Sequence, residues 1–341
     1  MTIHTAQRLE SGIVLVVVLF FVLLLTAGIA SFLRRVAMDS GVAMHRDRAR
    51  QAESVARGGI RLGEVLLLED LRVAESGAPD SLFAPWARVR GVDLDDDPDV
   101  ELRLEVEDAA ARFNLNAMLK QGKVEEASRA QLEALLAGVL AIMPEAPAEG
   151  RYDPAQLAAN VADWIDADEV ASDGSAEEDA YGRRTPPTRP SNLPLLSVDE
   201  LRLVDGFDGP LVDALRPFVG VHPLVGGGGI NLNTAPPWVL AQLQRGSEIS
   251  GFRPLEEEDV KRIVEAREEG PLCAGEGATA ASCTPITELL GTDTLDPAPT
   301  LRSNVFRVRA TARVVDVERR IEAVIDRSDP AELVRLSWRS E

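Results

Sequence analysis

The chain has 341 residues, 45% of them hydrophobic, with 56 acidic against 36 basic side chains and a net charge of −20. That length leaves room for two cores of ordinary size. The charge sets the bulk surface against phosphate backbones and so argues against nucleic acid as a partner. With three histidines and no G-x-S-x-G, P-loop or H-E-x-x-H string, there is little from which to build an active site, and no enzymatic activity is expected.

Met1 to Gly12 is a short polar stretch, and the composition changes abruptly at Ile13. From Ile13 to Leu33 run 21 residues without a charge, which as a helix would span about 31 Å, the thickness of a bilayer core. A cleavable secretory signal holds about 7–15 apolar residues, so this run reads as an anchor. A signal peptide cut at the small-x-small triplet Gly28-Ile29-Ala30 stays open as the alternative. Arg8 precedes the span and Arg34 and Arg35 follow it, so charge counting does not orient it. Beyond the span, Ala49, Ala52, Ala56, Gly59, Gly63 and Leu66 recur three and four apart. They form a narrow stripe of mostly small residues on one continuing helix.

Gly77 to Pro79 ends that helix. Val100-Glu-Leu-Arg-Leu-Glu-Val106 alternates apolar and charged residues, the mark of a half-buried strand, and Arg112 to Asn116 is expected to continue the sheet. Helical spacing returns at Glu125–Ile142, Pro154–Ile165, Val198–Leu203, Pro210–Phe218, Pro237–Leu243 and Glu256–Glu268. Two more strands, Val305–Val315 and Val317–Ile325, close the pattern. The simplest topology pairs early and late strands in one sheet and makes the helical block an insertion.

Between Tyr152 and Gly182 lie nine acidic residues and no lysine or arginine. Hard oxygen ligands at short spacing on a Gly-containing loop suit calcium, although the spacing is not that of an EF-hand. A solvated acidic loop fits the spacing equally well. Asn233 or Thr234 is expected to cap the helix that opens at Pro236-Pro237. The triplet Asn231-Leu-Asn233 echoes Asn114-Leu-Asn116. The Leu203-Val-Asp-Gly-Phe207 hairpin has the look of a DNA-binding helix-hairpin-helix, but Asp205 and Asp208 would repel a phosphate. Cys273 and Cys283 have neither zinc nor redox spacing. In an oxidising compartment they would close a short disulfide loop, and otherwise they are two idle thiols.

Four features occur in one order: the Gly12/Ile13 junction before an apolar span, Asp163-Trp-Ile-Asp-Ala-Asp168, Asn192-Leu-Pro-Leu-Leu-Ser197, and Ile230-Asn-Leu-Asn-Thr-Ala-Pro236. Together they resemble the minor pseudopilin K family of bacterial type II secretion systems. The family typically lacks the glutamate that other pseudopilins carry at the fifth mature position, and here that position is Val17. The resemblance implies an α+β fold. A transmembrane and stalk helix (13–75) would follow a prepilin leader (1–12). A pilin-like α/β domain with an antiparallel sheet (76–122 and 300–328) would then be interrupted by a large inserted α-helical domain (123–299), with a C-terminal tail at 329–341.

It further implies cleavage by prepilin peptidase between Gly12 and Ile13, methylation of the new N-terminus, and a single-pass inner-membrane anchor with the body in the periplasm. The implied place is the pseudopilus tip, capping or initiating the fibre. The implied partners are other minor pseudopilins, the major pseudopilin and the inner-membrane secretion platform. For calcium, the family's helical domain points to Asp166, Asp168, Asp173, Glu178 and Asp179, with Asp163 and Glu177 behind them. A periplasmic helix-hairpin-helix nucleic-acid binder and a secreted hydrolase are the rival functions.

Overall fold

The computed structural model describes residues 4–73, 78–92, 99–143, 150–170, 181–182, 187–222, 229–247, 251–274, 283–291, 294–329 and 332–340, with side chains from Ile13 onward. Helix α1 (His4–Val73) runs unbroken for 70 residues. Its C-terminal half buries Ala52, Ala56, Gly59, Ile60, Gly63 and Leu67, while Ala49 and Leu66 of the predicted stripe are only half-buried. The stripe is small because the helix lies close against the side chains of the sheet. A Cβ on Gly63 would stand 2.6 Å from a Val308 methyl, and one on Gly59 2.8 Å from the Ala310 Cβ. Each glycine costs helix stability by about 1 kcal/mol, and close packing against the sheet offsets it.

The sheet has five antiparallel strands in spatial order: β1 (Gly91–Val92), β2 (Val100–Asp108), β3 (Val305–Val314), β4 (Val317–Asp329) and β5 (Glu332–Ser340). β2 and β3 pair from Asp108↔Phe306 to Val100↔Val314, although residues 109–304 separate them in the chain. That long segment is therefore an insertion between neighbouring strands. Alternation sends Leu102, Leu104, Val106, Phe306, Val308, Ala310, Ile321 and Ile325 inward, onto Ile60, Leu67 and Trp86. The sheet also extends past 328. Glu332–Ser340, expected as a tail, is an edge strand on β4. Its alternation is weak in sequence, and what holds it is the row of backbone groups that β4 would otherwise leave unpaired.

A second core runs through the insertion, from Leu115 to Leu295. The helices Glu126–Ile142 and Pro154–Ile165 pack on each other there. The block is not purely helical. It holds a three-stranded sheet (Gln244–Ser247, Gly251–Pro254 and Thr294–Asp296), and Val198–Leu203 is a 3-10 helix. Arg112 to Asn116 does not continue the main sheet. Asp108 caps a 3-10 turn at Ala109–Ala111 that turns the chain out of the sheet, and Phe113–Asn114 pairs in parallel with Val219–Gly220.

The two N-L-N triplets share one construction. The Asn114 Oδ1 accepts the Asn116 amide at 3.2 Å, and the Asn231 Oδ1 accepts the Asn233 amide at 3.0 Å. The Asn116 side chain then takes both backbone groups of Leu195, at 2.8 and 2.9 Å. The Asn233 side chain does the same to Leu272, at 2.7 and 3.1 Å. Each triplet also begins in a two-residue parallel strand pair, with Val219–Gly220 for the first and Pro299–Thr300 for the second. The echo in sequence is thus a repeated turn in structure.

Candidate functional site

Helix Pro154–Ile165 opens on Asp153, whose carboxylate accepts the Ala155 and Gln156 amides at 3.0 and 3.4 Å, with Pro154 in the first turn. Leu157, Ala158, Val161, Ala162, Trp164 and Ile165 are buried. Trp164 is accordingly a core residue, and the helix end carries the acidic run to the surface. Asp166 donates its amide to the Ala162 carbonyl, and Ala167 then donates to the Gly122 carbonyl at 3.0 Å. The Asp168 carboxylate accepts the Val170 amide at 3.0 Å.

The returning segment is tied over the same spot. Asn192 donates its amide to the Trp164 carbonyl at 3.0 Å and its side-chain amide to the Asp168 carbonyl at 2.6 Å. Thr188 donates to the Tyr181 carbonyl at 3.2 Å, and the Tyr181 ring lies 5.3 Å from Trp164. Asp166 is pushed up to about 6, first by burial and then by the nearby charges of Asp168 and Asp163. The Asp166 Oδ1, Thr188 Oγ1 and Asn192 Oδ1 are buried with no hydrogen-bond partner. Buried oxygens without a donor are uncommon in folded proteins, and hard oxygens are the ligands a divalent cation such as calcium takes. The donor chemistry fits. Among the described residues no three carboxylates or other ionisable ligands converge on one point. Of the predicted ligands, Asp163 and Asp168 lie within electrostatic reach of Asp166 without converging on one point with it, while Asp173, Glu177, Glu178 and Asp179 fall outside the described residues.

Gly12 and Ile13, where processing is expected, lie within α1, which begins at His4. From Ile13 the helix is long and apolar enough to cross a membrane, with a mean hydropathy of 3.2 in its most apolar window and none of that window buried. Val17 stands exposed on it. Cys273 and Cys283 are joined in a disulfide with Cα atoms 5.8 Å apart. The Gly206 hairpin leads into helix Gly209–Leu215, whose first turn is already occupied by Asp208. The Asp208 carboxylate accepts the Leu211 amide at 3.1 Å and the Tyr152 hydroxyl at 2.9 Å, and Arg151 pairs with it at 2.6 Å.

The strongest polar constellation escaped the sequence reading. Asp108, the last residue of β2, is buried, and its carboxylate accepts from Thr234 Oγ1 and Ser303 Oγ at 2.6 Å each and from the Asn231 side-chain amide at 2.9 Å. Burial pushes its proton affinity up, with Asp80 adding to the shift, while the hydroxyl donors pull it back. Asn231 also donates to the Asp80 carbonyl at 3.2 Å. Ser303 donates its amide to the Asp80 carboxylate at 2.7 Å. Arg327 of β4, itself buried, pairs with Asp80 and with Asp70 of α1 and lies 4.2 Å over the Phe306 ring. The cluster stitches α1, β2 and β4 to the second N-L-N turn, and so joins the two cores. Neither Asn233 nor Thr234 caps a helix, because both side chains are committed elsewhere. Helix Pro237–Leu240 begins at Pro236 with no side-chain cap. The signal available in sequence was an Asn-x-Asn-Thr string flanked by apolar residues, since such polar groups stay buried only when fully paired.

Known proteins point one way. Residues 111–224, which hold the first N-L-N turn and the acidic run, match the family described as type II secretion system (T2SS), protein K. The type II secretion system protein K of Pseudomonas aeruginosa is 33% identical over 242 residues, covering 70% of this chain and 69% of that protein. That of Aeromonas hydrophila is 27% identical over 336 residues, with 96% of each chain covered. In structure, the chain is similar to one in the GspK–GspI–GspJ complex of the enterotoxigenic Escherichia coli type 2 secretion system, with a TM-score of 0.61 at 21% identity over 88% of this chain and 99% of that one. An apolar leading helix laid on an antiparallel sheet that a second core interrupts, the shared motifs and these relatives converge: the chain belongs to the type II secretion system protein K family, the K-type minor pseudopilins.

Proposed function

We propose that the protein sits at the tip of the type II secretion pseudopilus, where it initiates or caps the fibre that moves folded proteins across the outer membrane. It acts there as an assembly subunit and not as an enzyme. One observation carries the reading. The apolar rod of α1 presents Val17, exposed on the helix, where other pseudopilins carry a glutamate. An acid inside a bilayer is tolerated when a partner neutralises it, and a subunit lacking it has no handle for docking beneath another subunit. The bulky inserted core then lies at the fibre's end.

On this reading prepilin peptidase cuts between Gly12 and Ile13, the new terminus is methylated, α1 anchors the chain in the inner membrane and the body stands in the periplasm. The GspK–GspI–GspJ complex of the structural neighbour supports other minor pseudopilins as partners. The major pseudopilin and the inner-membrane platform are the remaining contacts. Calcium, held by Asp166 and Asp168 with Asp173, Glu178 and Asp179, would neutralise the acidic segment and fix it against Trp164. The buried, partnerless oxygens of Asp166 and Asn192 support that site. The relatives found give no support to the nucleic-acid or hydrolase readings.

N-terminal sequencing of mature protein from cells with and without prepilin peptidase, joined to a pull-down of co-expressed minor pseudopilins, tests the proposal. Expected are a peptidase-dependent start at Ile13 and co-purification. A mature chain that begins near Ala30 and elutes alone overturns it.

A further inference from the structure

The sheet face turned away from α1 is almost wholly charged, and its charges are laid out by register. Glu105, Arg309, Glu322 and Arg339 stand in one row across β2, β3, β4 and β5. Signs alternate along the row, so neighbours pair. Arg309 meets Glu105 at 3.3 Å and Glu322 at 3.1 Å, and Arg307 reaches Glu322 at 3.5 Å. Opposite charges facing each other across strands stabilise a sheet.

Pairing is thinner around the β4–β5 end of this face. Arg339 ends the row on the edge strand, facing a Glu322 that two other arginines already share. In the adjacent row Arg320 stands opposite Thr311 instead of an acid, and meets the Glu318 carboxylate at 3.8 Å. Asp199, within electrostatic reach of Arg339, is itself bound to Arg216 at 2.7 Å. Arg309, Arg320, Glu322 and Arg339 line a cavity of about 180 Å³. The lining itself holds three guanidiniums and one carboxylate, with Glu105 and Glu318 pairing Arg309 and Arg320 at its margin, in a protein whose net charge is −20.

We propose that this cavity receives the carboxylate of an acidic side chain from a neighbouring protein subunit. The guanidinium fork matches a carboxylate in two parallel hydrogen bonds, and with a water occupying about 30 Å³ the space suits one short acidic side chain. The site opens beside the edge strand β5, whose outer rim presents backbone groups to an incoming chain. Among the described residues, only charged side chains line it. The inference rests on the tip-assembly reading, and it adds which face of the sheet meets the neighbour and by what chemistry.

The test uses the full chain, co-expressed with the other minor pseudopilins and purified in detergent. Arg320→Glu/Arg339→Glu is compared with Arg313→Glu, which changes an exposed arginine of the same face outside the cavity. All of these side chains are surface-placed, and an unchanged thermal midpoint checks folding. Expected is a loss of roughly tenfold or more in retained partner for the double variant, little loss for Arg313→Glu, and weakening of wild-type capture by citrate at constant ionic strength. Equal capture by all three chains overturns the cavity's role while leaving the assembly reading intact. Equal loss in both variants does so too, because it shows only a diffuse effect of charge. Failure of the wild type to capture any minor pseudopilin overturns both.

Discussion

Asn114 and Asn231 both accept the amide two residues ahead, at 3.2 and 3.0 Å, yet their remaining hydrogen bonds go to different kinds of neighbour. Asn114 donates to the His222 carbonyl at 3.1 Å and accepts the His222 amide at 3.2 Å, in a half-buried position. Asn231 is fully buried and donates to the Asp108 carboxylate, the Asp80 carbonyl and Ser303. The first turn stitches the inserted core to itself. The second stitches that core to the sheet, through a buried charge. The difference teaches that a local turn sets the backbone path while the surroundings set what the turn is worth, because an unpaired group costs most where water cannot replace the lost partner.

The sharpest way to break this comparison is to remove the cation beside the second turn. Arg327→Met strands the carboxylates of Asp70 and Asp80, which Arg327 now pairs. Breaking a buried pair from one side costs about 3–5 kcal/mol, read from urea unfolding followed by circular dichroism. A smaller loss, about 3 kcal/mol, is expected for Asn231→Ala, which leaves Asp108 short of a donor in a dry site, while Asn114→Ala should lose about 1 kcal/mol. Equal losses at the two positions would show that the surroundings do not matter. Asn116→Ala and Asn233→Ala sharpen the other half of the comparison. Both side chains are buried and each holds two backbone groups, so the two variants should lose about the same, roughly 2 kcal/mol.

What could be read from the sequence follows from what periodicity encodes. The period-two pattern of Val100–Val106 and the small-residue stripe of α1 are local records of one buried face, and both elements are found where the pattern put them. That the stripe exists to clear Val308 and Ala310 was not legible, since it depends on a strand some 250 residues away. β5 was missed for a related reason: an edge strand held chiefly by backbone pairing needs little apolar alternation. The seam was missed because Asp80, Asp108, Asn231, Ser303 and Arg327 come from five separate stretches of chain, and no spacing rule connects them. Asn233 and Thr234 were misread as caps because the sequence shows a polar residue before Pro-Pro and hides the tertiary partner that competes for it. At the acidic run the sequence supplied composition. The structure adds that Asp166 is raised in proton affinity and has a buried, unpartnered oxygen.

The smallest expected effect concerns that carboxylate and has the sharpest sign. Asp166 titrates near 6 in the folded chain against an ordinary 3.8, so the native state holds its proton at pH values where the unfolded chain has released it. Stability therefore falls as pH rises from about 4 to about 6, and above that the full cost of the ionised group is present. Asp166→Asn removes the cost. In metal-free protein the variant should melt a few degrees above the wild type at pH 7, on the order of 2–4 °C for a chain of this size, and at the same temperature as the wild type below pH 4. Calcium should reverse the order, because a cation that needs the charged oxygen stabilises the wild type by mass action and not the variant. Differential scanning fluorimetry at pH 3.5 and pH 7, with chelator and with calcium, reads all four cases. A wild type that calcium does not shift would leave Asp166 a strained carboxylate in a solvated acidic loop, and the metal reading would fall without touching the seam or the anchor.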